Sequence, residues 1–174
     1  AGIAAIAPSR IKDLVWLDAF GSGFPMNLCR LKTEMSKDIT AMMLAGLIAN
    51  LSTSAGEVKY LGSGARQLDV WQNVLLAVLT VREQYAEAAN PLWALDALQL
   101  KDGFQRLAAL VPVDSRARQF LENTRLSEDL RTSCASRSRT AFAATDQMAR
   151  LMSAGGCVDL GECLAPGKIL CVPL

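Results

Sequence analysis

Residues 65–85 read ARQLDVWQNVLLAVLTVREQY. Trp71, Val74, Leu75, Val78, Val81 and Tyr85 recur at intervals of three and four, the spacing of one helical face, whereas a half-buried strand alternates at every second residue. Asp69, Gln72, Asn73, Thr80, Glu83 and Gln84 fall opposite them. The stretch predicts a helix over 65–89 with one broad apolar face. Asn90-Pro91 stops it, and starts the next helix, because asparagine suits an N-cap and proline suits the first turn.

The same period extends outward in both directions. Upstream, a helix is expected from Thr33 to Leu51, where Ile39, Met42, Met43, Leu44, Leu47, Ile48 and Leu51 cover most of the circumference. A helix apolar nearly all round is expected to be buried on all sides. A short first helix is expected over 9–20, between Pro8 and the breaker Gly21-Ser22-Gly23. Downstream, a helical region over 91–111 is open to interruption at Gly103. Asp114 is read as the N-cap of a helix to Thr124, and Ser127-Glu128-Asp129 as the start of a last helix to Ser153. The fold expected is all-α: a single-domain helical bundle of about five to six helices over 1–154, followed by an irregular, Cys-containing C-terminal tail over 155–174.

Composition bounds the chemistry. None of the 174 residues is histidine, which removes the usual general base, proton shuttle and transition-metal ligand near neutral pH. Ser-His-Asp and Cys-His arrangements are therefore excluded. Apolar residues reach 51% and charged residues only 20%, against about 25% in an ordinary domain. That excess suggests more apolar surface than one small monomer needs, and so subunit contacts or an apolar ligand. A formal net charge of +1 gives no whole-molecule preference for nucleic acid or membrane. The longest apolar run, Ala41 to Ala49, is too short to span a bilayer, and the first eight residues lack the basic n-region of a retained signal peptide.

Local charge is less even. Arg116, Arg118, Arg125, Arg131, Arg137, Arg139 and Arg150 crowd one third of the chain, and between Leu130 and Thr145 there is no acid. Thr132, Ser133, Ser136, Ser138 and Thr140 in the same interval carry hydroxyls that donate well to phosphate oxygens. The plain expectation for such a run is a solvated face compensated by Asp129 and Asp146. The sharper one is a nucleic-acid or subunit contact formed by Arg131, Arg137, Arg139 and Arg150. Arg137 stands apart from the others, because it shares a helical stripe with Leu130, Cys134, Ala141, Ala144 and Met148, where an intramolecular ion pair is the ordinary explanation.

The remaining motifs are weak. Five cysteines, three of them at 157, 163 and 171, fit either reduced, packed thiols or a tail pinned by disulfides, and their spacing is a poor zinc signal. Asp159 with Glu162 makes a poor cation site without a defined loop geometry, Glu83 with Glu87 is read as a solvated pair, and Gly62-Ser63-Gly64 as a flexible helix entry. Trp16, Trp71, Trp93, Phe20, Phe104 and Tyr85 are read as core anchors, and Met35, Met42 and Met43 as gap-fillers or an adaptable apolar groove.

No catalytic residue, metal or cofactor is assigned. The function expected is a non-enzymatic, self-assembling structural protein, such as a coat, nucleocapsid or scaffold subunit, with a homo-oligomer and single-stranded nucleic acid as partners and no membrane span. The alternative is a secreted helical bundle binding a receptor or apolar ligand. An enzyme working through carboxylates or a cofactor ranks behind both, since no constellation supports it.

Overall fold

A computed structural model describes residues 8–16, 27–30, 35–53, 61–82, 85, 89–154 and 166–171. Expectations placed on Phe20, Glu83, Gln84, Glu87, Cys157, Asp159, Glu162 and Cys163 lie outside the described residues. Within them the chain is a helical bundle of seven α-helices: α1 (Lys37–Thr53), α2 (Leu61–Val81), α3 (Leu92–Gln99), α4 (Gly103–Leu110), α5 (Arg116–Asn123), α6 (Glu128–Phe142) and α7 (Asp146–Met152). Two three-residue strands, β1 (Leu14–Trp16) and β2 (Ile169–Cys171), pair in parallel with Leu14 opposite Ile169.

The helix count exceeds the expected five to six because two long helices break where the sequence holds a start signal. The region over 91–111 divides at Leu100, whose backbone is extended, and α4 begins on Gly103. The last helix divides at Ala143. Thr145 then caps α7, its hydroxyl accepting the Met148 N–H at 3.1 Å. Ser127 caps α6 as expected, whereas α5 is capped by Ser115 and not Asp114, because the Ser115 N–H bonds back to the Pro112 carbonyl and moves the helix start one residue on. Asn90 serves the start of α3, accepting the Leu92 N–H at 3.0 Å.

The first expected helix is a correction. Residues Pro8–Asp13 form a 3-10 helix, and the backbone then extends into β1, which β2 of the tail pairs with. Arg10 bonds Asp13 and the carbonyl of Gly167, whose φ of 88° is the left-handed region that glycine tolerates. Part of the tail expected to be irregular is thus a strand. Gly62, Ser63 and Gly64 lie inside α2 and not in an entry loop, and α2 ends at Val81, leaving Tyr85 exposed outside it instead of anchoring the core.

α2 occupies the centre, packed against α1, α3, α4, α5 and α6. The run over 74–79 is VLLAVL, and six apolar residues at about 100° each go all the way round a helix. Every one of them is buried, so the apolar face is broader than expected, while Asp69 stays exposed and Gln72 and Thr80 part-exposed on the expected polar side. Most of its buried polar groups find partners: Asn73 Nδ2 bonds Asp69, Trp71 Nε1 donates to the Cys134 carbonyl, and Gln67 Nε2 donates to Ser133, while Gln67 Oε1 has none. α1 departs from expectation in the opposite sense. Ala41, Leu44, Ala45 and Ile48 are buried, but Ile39, Met42, Met43 and Leu47 are 45%, 51%, 55% and 38% exposed.

Two residues lock this packing. An added Cβ on Gly103 would lie 2.5 Å from the Ala97 carbonyl oxygen and 2.7 Å from the Ala97 Cα, so α3 and α4 approach at a distance only glycine permits. Gly103→Ala is expected to lower stability by about 1–3 kcal/mol despite alanine's higher helix propensity, because backbone must move to relieve the overlap; thermal unfolding at or above the wild-type midpoint would contradict it. Fully buried Asn27 donates to the carbonyls of Ala89 (2.9 Å) and Ala154 (3.1 Å) and accepts the Cys29 N–H (3.1 Å), tying three distant segments together. Asn27→Ala is expected to cost about 2–4 kcal/mol in urea unfolding. Asn27→Asp should cost at least as much, since a carboxylate has no donor for the two carbonyls.

Candidate phosphate-contact and subunit-contact surfaces

The arginine-rich segment becomes α6, whose start is favoured by the Ser127 cap and by Glu128 and Asp129 in its first turn. Cys134, Ala135, Ser138, Ala141 and Phe142 face the core. At 3.6 residues per turn, Arg131 and Arg139 stand about 80° apart on one flank, while Arg137 lies about 160° from Arg139 on the other. Helical geometry alone therefore divides the arginines that composition groups together.

Arg131 and Arg139 line a groove of about 930 Å³ between α6 and the end of α3. α6 also contributes Glu128, Thr132, Ala135 and Ser136. Leu98 and Gln99 come from α3, Leu126 from the loop before α6, and Lys101 from the turn after α3. Three cations thus face one carboxylate, Glu128. Among the described residues, neither Arg131, Arg139 nor Lys101 forms an ion pair, and Asp129 and Asp146 do not supply one. Other arginines are engaged: Arg106 with Asp102 at 2.7 Å, Arg118 with Glu122 at 2.7 Å, and Arg82 with the Cys29 carbonyl. The Nε of Arg131 is buried and has no hydrogen-bond partner. A buried donor in that state is costly unless something arriving in the groove accepts from it.

Arg137 has a different setting. It is half-buried on the flank where Ser133 accepts from Gln67 of α2, and no acid pairs with it among the described residues, so the expected ion pair is not found there. Its charge acts on Cys134. Burial pushes that thiol up from its ordinary 9.0 to about 12, against the opposing pull of the Arg137 guanidinium. Arg150 is exposed on α7 and lies outside the groove. Lys101 was missed by sequence reading, since a single lysine after a helix carries no signal of what it will face.

A smaller recess of about 190 Å³ between α3 and α4 is lined by Trp93, Asp96, Leu100, Gly103, Arg106 and Leu110, among others. Partial burial raises the Asp96 carboxyl, while the hydrogen bond from Arg106 holds Asp102 low. Arg106 is thereby committed to Asp102. Among the described residues no three His, Cys, Asp or Glu side chains gather to hold a metal ion, and no helix is long and apolar enough to cross a membrane.

The second surface is the outer side of α1. Ile39, Met42, Met43 and Leu47, with Gly46 between them, form a continuous apolar stripe without a charge, and Met35 just before the helix is 51% exposed. An added Cβ on Gly46 would meet nothing within 4 Å. Compared with known protein families, characterised proteins and solved structures, the chain matches none.

The Cys134 environment gives a pH dependence of defined sign. A thiol raised from 9.0 to about 12 keeps its proton in the folded state after the unfolded chain has lost it. Its contribution is fully present below pH 9 and declines between about 9 and 12, with a limiting slope of about 1.4 kcal/mol per pH unit. Urea unfolding of wild type and Cys134→Ala should therefore converge as pH rises through that window. Parallel curves would exclude the effect.

Proposed function

We propose that the chain is a non-enzymatic, self-assembling structural subunit of the coat, nucleocapsid or scaffold kind, and that its arginine-rich helix meets nucleic-acid phosphates. The observation that carries this reading is the outer side of α1. Isolated exposed hydrophobics are ordinary on any protein, but a contiguous uncharged stripe on a helix whose inner side already belongs to the core has no folding role within one chain. Methionine at two of its central positions suits a surface that must fit a second surface, because the unbranched thioether adapts to irregular gaps. The chemistry supports binding over catalysis: no histidine exists anywhere in the chain, and Cys134 is a buried thiol held in its protonated, unreactive form.

Sedimentation in reducing buffer tests the reading. The wild-type protein should run at a multiple of its 18.7 kDa mass at micromolar concentration, and Met42→Glu with Met43→Glu should shift it to the monomer while leaving helicity intact. A charge placed at the centre of an apolar contact is left desolvated and unpaired, so at least a tenfold weaker association is expected. A wild-type monomer under these conditions would overturn assembly and favour the alternative, a helical binder that presents the same face to a receptor or apolar ligand.

A further inference from the structure

We propose that the groove between α3 and α6 binds the phosphodiester backbone of single-stranded nucleic acid through Lys101, Arg131 and Arg139. This deepens the structural-subunit reading and rests on it, but selects different residues from those the arginine-rich sequence offers: Lys101 enters, and Arg137 and Arg150 leave.

The geometry is that of a cradle for a chain. Arg131 and Arg139 stand two turns apart on α6, about 12 Å along the axis at about 1.5 Å per residue. Lys101 faces them across the recess from the α3–α4 turn, so the positive charge comes from two walls. Thr132 and Ser136 lie between the arginines on the same wall and supply hydroxyl donors. Arg131 Nε is a buried donor with no acceptor, and a phosphate oxygen in the groove satisfies it. Acids elsewhere neutralise Arg106 and Arg118, whereas this cluster keeps a net charge of two after Glu128 is subtracted from its three cations.

The form of the site selects the form of the ligand. A duplex carries its phosphates on a convex surface that cannot enter a recess between two helices, whereas one strand can lie along it. An array of charge repeating at each nucleotide meets Arg131 and Arg139 in any register, which an acidic peptide of mixed sequence does not. Among the described residues no aromatic side chain lines the groove to offer bases a stacking platform. The strand is therefore held by its backbone, without base preference and with a salt dependence set by the number of cations engaged.

The test is fluorescence anisotropy of a short labelled oligouridylate from about 50 to 200 mM salt, with sizing of each protein alongside. Three phosphate contacts give a slope of log K against log salt near −2, at about −0.7 per contact on a single strand. Lys101→Ala and Arg139→Ala, both at exposed positions, should each weaken binding and flatten the slope by about 0.7, while Arg137→Gln and Arg150→Ala leave it unchanged. Equal losses in all four variants would mean diffuse attraction and overturn the site. So would equal binding of a blunt duplex, absence of binding at the lowest salt, or competition by polyglutamate as effective as unlabelled oligouridylate, the last reassigning the groove to an acidic peptide. Pyrophosphate binding as tightly as the oligonucleotide would overturn the strand in favour of a small phosphate ligand. Failure of the two readings is distinguishable: a monomer that binds with the expected slope loses the subunit reading and keeps the groove, and an assembly that binds nothing does the reverse.

Discussion

Burial of the middle of α2, where all six residues over 74–79 are enclosed, is the constraint from which the rest of the architecture follows. Such a run requires apolar neighbours on several sides, and α1, α3, α4, α5 and α6 supply them. The cost of enclosing polar groups in such a helix is largely met: Asn73 turns back to Asp69, Thr80 to the Leu76 carbonyl, and Trp71 and Gln67 Nε2 reach α6, with Gln67 Oε1 left over. Of the helices around α2, α3, α4 and α5 have eight residues each and are joined by short turns. The Gly103 approach between α3 and α4 and the Asn27 clamp near the ends of the bundle are what such close quarters demand.

The two candidate surfaces are the remainder of that arrangement. Once α2 is covered, α1 has an inner side in the core and an outer side that stays exposed among the described residues. Its apolar composition all round, which elsewhere signals complete burial, is here only partly used by the core. α6 is divided in a comparable way. Its core side packs against α2, one flank carries Arg137 beside a buried thiol, and the other lines a groove with cations that no acid neutralises among the described residues.

Helical class, the starts of α3, α5 and α6 to within a residue and the absence of imidazole chemistry were legible from residues alone, since period, capping side chains and composition act over a few neighbours; α1 and α2 each begin four residues from the expected start. Ser127 caps as read, Asn90 lies one residue before the N-cap Pro91 and accepts the Leu92 N–H, and Thr145-Asp146 was a legible start signal that a long periodic run concealed. The seam between helix and strand at Leu14 was not legible, because its partner lies more than 150 residues away and pairing energy belongs to both strands. Within the candidate site, Arg131, Arg139 and the hydroxyls between them were visible in one segment. Lys101 was not, since its membership depends on where the turn after α3 falls.

What the sequence by itself determined, then, is the kind of element at each stretch and the chemistry those elements lack. What only the tertiary structure decided is which faces are used up. Periodicity states that α1 is apolar nearly all round and α2 on one broad face, yet the middle of α2 is enclosed and α1 half exposed, because enclosure depends on how many neighbours the whole chain can bring to each axis. In the same way, seven arginines in one third of the chain carry one charge each whatever the fold, but whether a guanidinium meets an acid, a thiol or an open groove is set by rotation about a helix axis and by residues remote in sequence.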